Sequence, residues 1–394
     1  MGCVEDAPGP LAEPVARPDV VKGLRIGFYW HPVDGGQGRC FQGLLEALLR
    51  RAPQHEYFVY VEGAPASRRV PQHPRVHRRV LPSHPGTIWT RVQRQLPRHL
   101  HQDQLDVFHT QHHRFPICAP CRTVVTLHDL GVFLRPQGTV RPSDRRVTRQ
   151  RFLAAARLAD HVTTASRYAQ QQLVETLKVP AQRISYIPWG CPPGFGPLPR
   201  DRARRMIRRC YRVIRPYILA VGPLFPCKGH VALIRAFQRT FAATHDLVIV
   251  GQAPEWWEPQ ILRAIGNTPA IHYLGFVTDL RLCALYVAAE CLAYPSEEEN
   301  YGFPAVEAMA CGTPVVAWRR PSVPEAEAPT ALLVAPGAFT RFTEGVRLVL
   351  ADPTLRETLR RQGLARAHAV QWDETATQML DVYHCVAGAG HSAR

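Results

Sequence analysis

The stretch EENYGFPAVEAMACGTPVVA (298–317) carries Glu299 in a loop and Glu307 eight residues later, in a helix that Pro304 helps to start and Gly312 ends. The backbone N–H groups of Asn300, Tyr301, Gly302 and Phe303 make the helix start a donor-rich end suited to an anionic or hydroxylated ligand. Two carboxylates beside such an end can each accept paired hydrogen bonds from vicinal hydroxyls. The alternative is that Glu299 ends a solvated acidic run, Glu297 to Glu299, and that Glu307 is an exposed helix residue. Lys228, in VGPLFPCKGH, lies on a turn before a helix and is one of three lysines in a chain whose other cations are arginine. On position alone it can stand as a solvated loop lysine. His128 closes strand TVVTLHDL with Asp129 beside it, and His109 ends strand DVFHT. A strand-end histidine can donate to a hydroxyl or carry a proton near neutral pH, or be tied to backbone. Gly35 and Gly36 open a glycine loop after the first strand, where backbone can approach a phosphate closely.

These residues need strands that end at a common face. Short apolar runs alternate with helix-period segments throughout, the pattern of parallel sheets wrapped by helices. In the first half the strands are expected at 24–30, 56–62, 106–110, 123–130, 161–166 and 184–190, with helices at 40–52, 151–159 and 169–178. CPPGFGPLPRD (191–201) reads as a linker. The very basic RDRARRMIRRCYRVIR (200–215) follows it. A second series places strands at 217–224, 246–251, 271–277, 291–296 and 313–318 and helices at 230–242 and 280–290, with further helices from Phe339 to Val386. The expected organisation is a disordered lead-in at 1–22, a first unit at 23–197 and a second at 198–377, with a helix over 378–394 packing back on the first. Two such units turn the carboxyl ends of both sheets toward one cleft.

The bulk properties remove other classes. No apolar run reaches the roughly 18 to 20 residues of a membrane span, and eleven cysteines without a framework of spacings fit a reducing, cytoplasmic compartment. Net charge is +16, of which +12 falls in residues 1–196 and +4 in the remainder. That imbalance raises a peripheral contact with an anionic membrane at its inner face. Nucleic acid is not expected, because no helix-turn-helix, zinc-finger, RRM or KH pattern accompanies the charge. No Asp-x-Asp pair is present and the glycine loop is not a dinucleotide fingerprint, so neither a metal nor a bound cofactor is expected. A zinc site drawn from HHRFPICAPC competes with a plain loop.

Several ordered motifs together resemble the group-1 family of retaining glycosyltransferases with the GT-B fold, two doubly wound Rossmann-like domains facing a central cleft. They are GGQGR (35–39), VVTLHDL (124–130), ADHVTTASRYAQQQLVETLKVPAQRISYIPWG (159–190), VGPLFPCKGH (221–230), the E-x7-E pair Glu299 and Glu307, and Trp372 in HAVQWDETATQMLDVY. The resemblance implies metal-independent transfer of a hexose from a nucleotide diphosphate sugar to a glycan, lipid-linked or small-molecule acceptor. It assigns His128, Glu299 and Lys228 to catalysis, Lys228 by neutralising the diphosphate as the bond to the anomeric carbon breaks, and it makes 23–197 the acceptor-binding unit and 198–377 the nucleotide-sugar-binding unit. Gly35, Gly36, Gly222, Lys228, Asn300, Tyr301, Gly302, Phe303 and Glu307 would bind the donor, with Glu307 on the ribose, and His109 and Asp129 would lie toward the acceptor. Mannose, glucose and N-acetylglucosamine donors are all compatible, and GDP-mannose is favoured over a UDP-sugar because the HDL strand end and the GGxGR loop are similar to those of polysaccharide mannosyltransferases. Two departures stand out: Pro223 and Cys227 occupy the positions where the family places an arginine beside the lysine, and Asn300 replaces a common glycine. A non-hydrolysing sugar-nucleotide epimerase and a catalytically weak sugar-nucleotide binder are the competing expectations.

Overall fold

A computed structural model describes residues 23–30, 35–63, 70–82, 88–127, 130–134, 138, 140–299, 301–319 and 330–388. In the amino-terminal unit β1 (Arg25–Trp30), α1 (Gly35–Arg51), β2 (Glu56–Glu62), β3 (Val76–Leu81), α2 (Ile88–Arg94), α3 (Leu96–Gln102), β4 (Val107–Thr110) and β5 (Arg122–Thr126) come first. Then follow α4 (Gly131–Leu134), α5 (Arg145–Leu158), β6 (His161–Thr164), α6 (Arg167–Leu177) and β7 (Ile184–Tyr186). The strands form one parallel sheet in the order β3-β2-β1-β4-β5-β6-β7.

The second unit holds α7 (Arg200–Tyr211), β8 (Tyr217–Val221), α8 (His230–Thr240), β9 (Asp246–Val250), α9 (Glu258–Ile265), β10 (Ile271–Tyr273) and α10 (Asp279–Ala288). It continues through β11 (Cys291–Tyr294), α11 (Phe303–Ala310), β12 (Val315–Trp318), β13 (Leu332–Val334), α12 (Phe339–Ala351) and α13 (Pro353–Ala369). Its parallel sheet runs β10-β9-β8-β11-β12-β13. The central strands YILAV, DLVIV, CLAY and VVAW are buried along their whole length, as strands covered by helices on both faces must be, which is why they read as unbroken apolar runs.

Strand order decides which loops meet. In each sheet the winding reverses beside the first strand, between β1 and β4 and between β8 and β11, and a crevice opens there at the carboxyl ends. The loops after β8 and β11 carry Lys228 and Glu299 respectively. Adjacent parallel strands therefore bring together side chains about seventy positions apart.

The last helix, α14 (Trp372–Gly388), crosses back to pack on α1, β4 and β5. It begins six residues before the expected 378, and Trp372 is itself the anchor. A Cβ on Gly43 would lie 2.4 Å from the indole of Trp372, and the indole N–H donates to the Cys191 carbonyl at 2.6 Å. Only glycine lets α1 come so close, so the small residue and the large one form a single joint.

Other departures from the sequence expectation have local causes. β3, VHRRVL, is an edge strand with His77, Arg78 and Arg79 at its centre, so it shows no unbroken apolar run. α2, α3, α9 and β13 span seven, seven, eight and three residues, too short to set out a period on their own. The linker expected at 191–201 ends at Pro199, because the basic stretch that follows is helix for its first twelve residues. The lead-in expected at 1–22 lies outside the described residues.

Candidate active site

β8 ends at Val221, and Gly222 follows with φ +140°, a backbone geometry that disfavours a side chain. The chain then makes a single turn of 3-10 helix, Pro226–Lys228, and Gly229 (φ +72°) leads into α8. A Cβ at Gly229 would sit 2.5 Å from the Pro295 carbonyl oxygen, so this glycine allows the turn to rest on the loop after β11. Lys228 Nζ donates to the Glu298 carbonyl at 2.7 Å and pairs with Glu299 Oε1 at 2.5 Å. Both side chains are mostly covered, at 13% and 16% exposure. Ser296 Oγ holds the same loop through the Glu298 carbonyl at 2.9 Å. Glu299 is thus not merely the end of a solvated acidic run.

Gly222, Lys228, His230, Tyr294 and Glu299 line a small cavity of about 10 Å³, the size of one water. His230 is the first residue of α8 and is 4% exposed. Its Nδ1 is sealed from solvent and has no hydrogen-bond partner among the described residues. Burial, reinforced by the Lys228 ammonium, lowers its pKa to about 4, so the ring is neutral at pH 7. His113 is lowered further, to about 3, by burial and by Arg114 and Arg151. Both folded values lie below the ordinary 6.5, so the unfolded chain binds more protons between. The stability these rings contribute is present above pH 6.5 and is lost as pH falls toward 4, by about 3 kcal/mol for His230 alone. Urea unfolding between pH 7 and 4 should show this slope, reduced by about one proton in His230→Leu; an unchanged slope in that variant refutes it.

Glu307 occupies a different setting. It lies on α11, whose N-cap is Gly302 at φ +75°, and its side chain is 1% exposed. That excludes the exposed-helix alternative. Oε1 accepts from Arg39 Nη2 at 2.6 Å and Oε2 from the Tyr286 hydroxyl at 2.9 Å. Arg39, on α1 of the other unit, also pairs with Asp279 at 2.8 Å and lies over the Phe195 ring at 5.2 Å. Burial raises the Glu307 carboxyl above its usual range against the opposing pull of Arg39 and Tyr286. The arginine is the stronger holder of its proton: burial works against it, yet Glu307 and Asp279 more than offset that.

Beside α11 an aromatic group joins the units. The Tyr301 hydroxyl donates to the Trp189 carbonyl, and the Phe303 ring lies 4.8 Å from that of Tyr301 and 6.0 Å from that of Trp189. These two side chains pack in the amino-terminal core, which leaves their backbone rather than their rings to meet a ligand.

Both halves of the chain match models of sugar-transfer enzymes: residues 34–195 that of Glycosyltransferase Family 4, and residues 213–366 that of Glycosyl transferases group 1. The chain belongs to the group-1 glycosyltransferases. It is 28% identical over 270 residues to an O-antigen chain mannosyltransferase B of Escherichia coli, across 66% of this chain and 70% of that protein. A D-inositol 3-phosphate glycosyltransferase of Acidothermus cellulolyticus is 34% identical over 262 residues, 63% of this chain and 57% of that protein. The fold matches sucrose-phosphate synthase from Thermosynechococcus elongatus with a TM-score of 0.75 at 22% identity, covering 93% of this chain and all of that one, and it is GT-B.

In this glycosyltransferase the structure corrects one expectation directly. His109 does not face an acceptor: it is fully buried, with Nδ1 bound to the Tyr383 hydroxyl at 2.7 Å and Nε2 to Thr126 Oγ1 at 2.6 Å. Both ring nitrogens are engaged in fastening α14 to the first sheet. The loop expected at Gly35 and Gly36 is instead the first turn of α1, with Gly36 facing the Phe303 ring. His128, Asp129 and Asn300 lie outside the described residues. Sequence reasoning missed Arg39, Asp279, Tyr286 and His230. Arg39 was in plain view within GGQGR, but nothing local tells that it crosses to the other unit. Among the described residues no three His, Cys, Asp or Glu side chains gather as a metal site.

Proposed function

We propose that the protein transfers a hexose, with retention and without a metal, from a nucleoside diphosphate sugar to a glycan, lipid-linked or small-molecule acceptor. The observation that carries this reading is the Lys228–Glu299 pair beside Gly222 and the start of α8. An ammonium held by a neighbouring carboxylate is available to a stronger anion. When the donor diphosphate takes Lys228, Glu299 is released to accept hydrogen bonds from sugar hydroxyls. As the bond to the anomeric carbon breaks, charge grows on the phosphate and Lys228 stabilises it where it develops. The same phosphate oxygen receives the acceptor proton on the face it leaves, which preserves configuration. His230, neutral and with Nδ1 unspent, is placed to donate a second hydrogen bond where Pro223 and Cys227 offer none.

Glu307 would take the ribose hydroxyls. Since its side chain is 1% exposed behind Arg39 and Tyr286, one of these must move for the ribose to reach it, which makes opening of the cleft part of donor entry. A GDP-mannose donor is supported by the name of the E. coli relative, a mannosyltransferase. Pro223 and Cys227 favour the competing reading, a sugar-nucleotide binder without transfer.

Thermal-shift titration against GDP and UDP sugars, followed by anomeric NMR of the product, separates these outcomes. The true donor should raise Tm in proportion to the logarithm of its concentration. His230→Leu should bind the diphosphate about tenfold more weakly, with nucleoside binding unchanged. Binding without product across acceptors favours the non-catalytic reading, and an inverted anomer rejects retention.

A further inference from the structure

The surface charge of the second unit is concentrated in one place. Residues 200–215 contain eight arginines and one aspartate, net +7, whereas residues 197–394 as a whole carry only +4. Arginine-rich composition spread along the chain cannot produce that contrast, because the rest of the unit is net acidic. Seven of these arginines are exposed. Arg200 and Arg204 pair with Glu290 at 2.8 Å and Arg215 with Asp246 at 3.3 Å. Arg202, Arg205, Arg208, Arg209 and Arg212 have no acidic partner among the described residues, and like charges on successive turns of α7 repel one another. A helix in this state gains from an external polyanion.

The helix also borders a cleft of about 270 Å³, formed where the chain turns from α7 into β8. Arg204, Arg205, Arg208 and Arg215 line it together with Asp201, while the buried Ile207, Val213 and Tyr217 form its floor. Ile214 stands at its edge and is 69% exposed. Arg281, on α10 packed against α7, lies over the Tyr211 ring at 5.9 Å. The cleft is remote from the donor site: Tyr217 opens β8, and Gly222 follows its far end, roughly 16 Å of strand away.

We infer that this arginine-lined cleft seats the headgroups of an anionic phospholipid membrane, with Ile214 entering the boundary of the acyl chains. Phosphate oxygens match guanidinium donors in planar pairs. The 69% exposed Ile214 beside the arginines favours a lipid over a soluble phosphate, which has nothing to place there. Nucleic acid is disfavoured because the one tyrosine on α7 is covered by Arg281 and no aromatic ring stands free for stacking among the arginines. Among the described residues no helix is long and apolar enough to cross a membrane, so attachment here is lateral. Being at the opposite end of β8, it leaves the donor crevice open.

The test is co-sedimentation of the full chain with phosphatidylcholine vesicles, with and without phosphatidylglycerol. Wild type should partition onto the anionic vesicles only, and added salt should release it. Arg205→Ala/Arg208→Ala/Arg212→Ala should lower the partition coefficient about a hundredfold, and Ile214→Asp several-fold. Circular dichroism and nucleoside diphosphate affinity should be unchanged in both, since the side chains are exposed and distant from Lys228. Either variant partitioning like wild type overturns the inference. So does a wild type that ignores anionic vesicles, or whose binding is abolished by millimolar inorganic phosphate or by a short DNA duplex at equal charge.

Discussion

Replacing Arg39 with methionine should cost the folded protein about 3–5 kcal/mol. The substitution keeps the stem over Phe195 but removes the guanidinium from Glu307, whose carboxylate is 1% exposed and would be left with Tyr286 alone. A buried charge that loses its partner pays the desolvation penalty uncompensated, which exceeds what the pair contributes relative to a neutral pair. Thermal unfolding should move down by on the order of ten degrees. Arg39→Met combined with Glu307→Gln should recover most of that loss, because no charge then remains to be solvated. The interaction term of this double-mutant cycle is the decisive measurement. A cycle that closes to zero would show that the two side chains do not face each other and that the joint between units lies elsewhere.

The second large effect is on chemistry. Lys228→Met should lower kcat/KM by a factor of about 10² to 10³, the cost of removing one charge-stabilising donor from a developing oxyanion. Glu299, 16% exposed, can turn toward solvent once its partner is gone, so the fold should survive. The loss should fall mainly on kcat, because the ammonium acts most strongly when the phosphate bears its full leaving charge. Glu299→Gln should instead weaken discrimination between sugars and leave affinity for the bare nucleoside diphosphate nearly intact. A Lys228→Met enzyme with more than a tenth of wild-type kcat/KM would remove the lysine from the centre of the mechanism and turn attention to His230.

Much of this was legible along the chain. Alternating apolar runs and helical periods announce two parallel sheets, since strands buried on both faces have no polar alternation to hide them. Post-strand loops then point to Lys228 and Glu299, because ligands of such sheets meet the carboxyl ends of strands. The acid spacing around Pro304 and Gly312 locates a helix with Glu307 inside it, and the structure gives that helix as Phe303–Ala310.

What the sequence leaves open is anything set by the meeting of distant surfaces. Glu307 and Arg39 are 268 positions apart, and no local pattern distinguishes a carboxylate waiting for a ribose from one already held by an arginine. His109 reads as a reactive strand-end histidine until Tyr383, 274 positions on, closes against it. The arginines of α7 read only as a basic stretch until helix formation gathers them at one cleft. Periodicity and turn chemistry act over a few residues and are written in order. Burial, ion pairing and charge density belong to surfaces assembled from remote segments, and only the packed chain decides them.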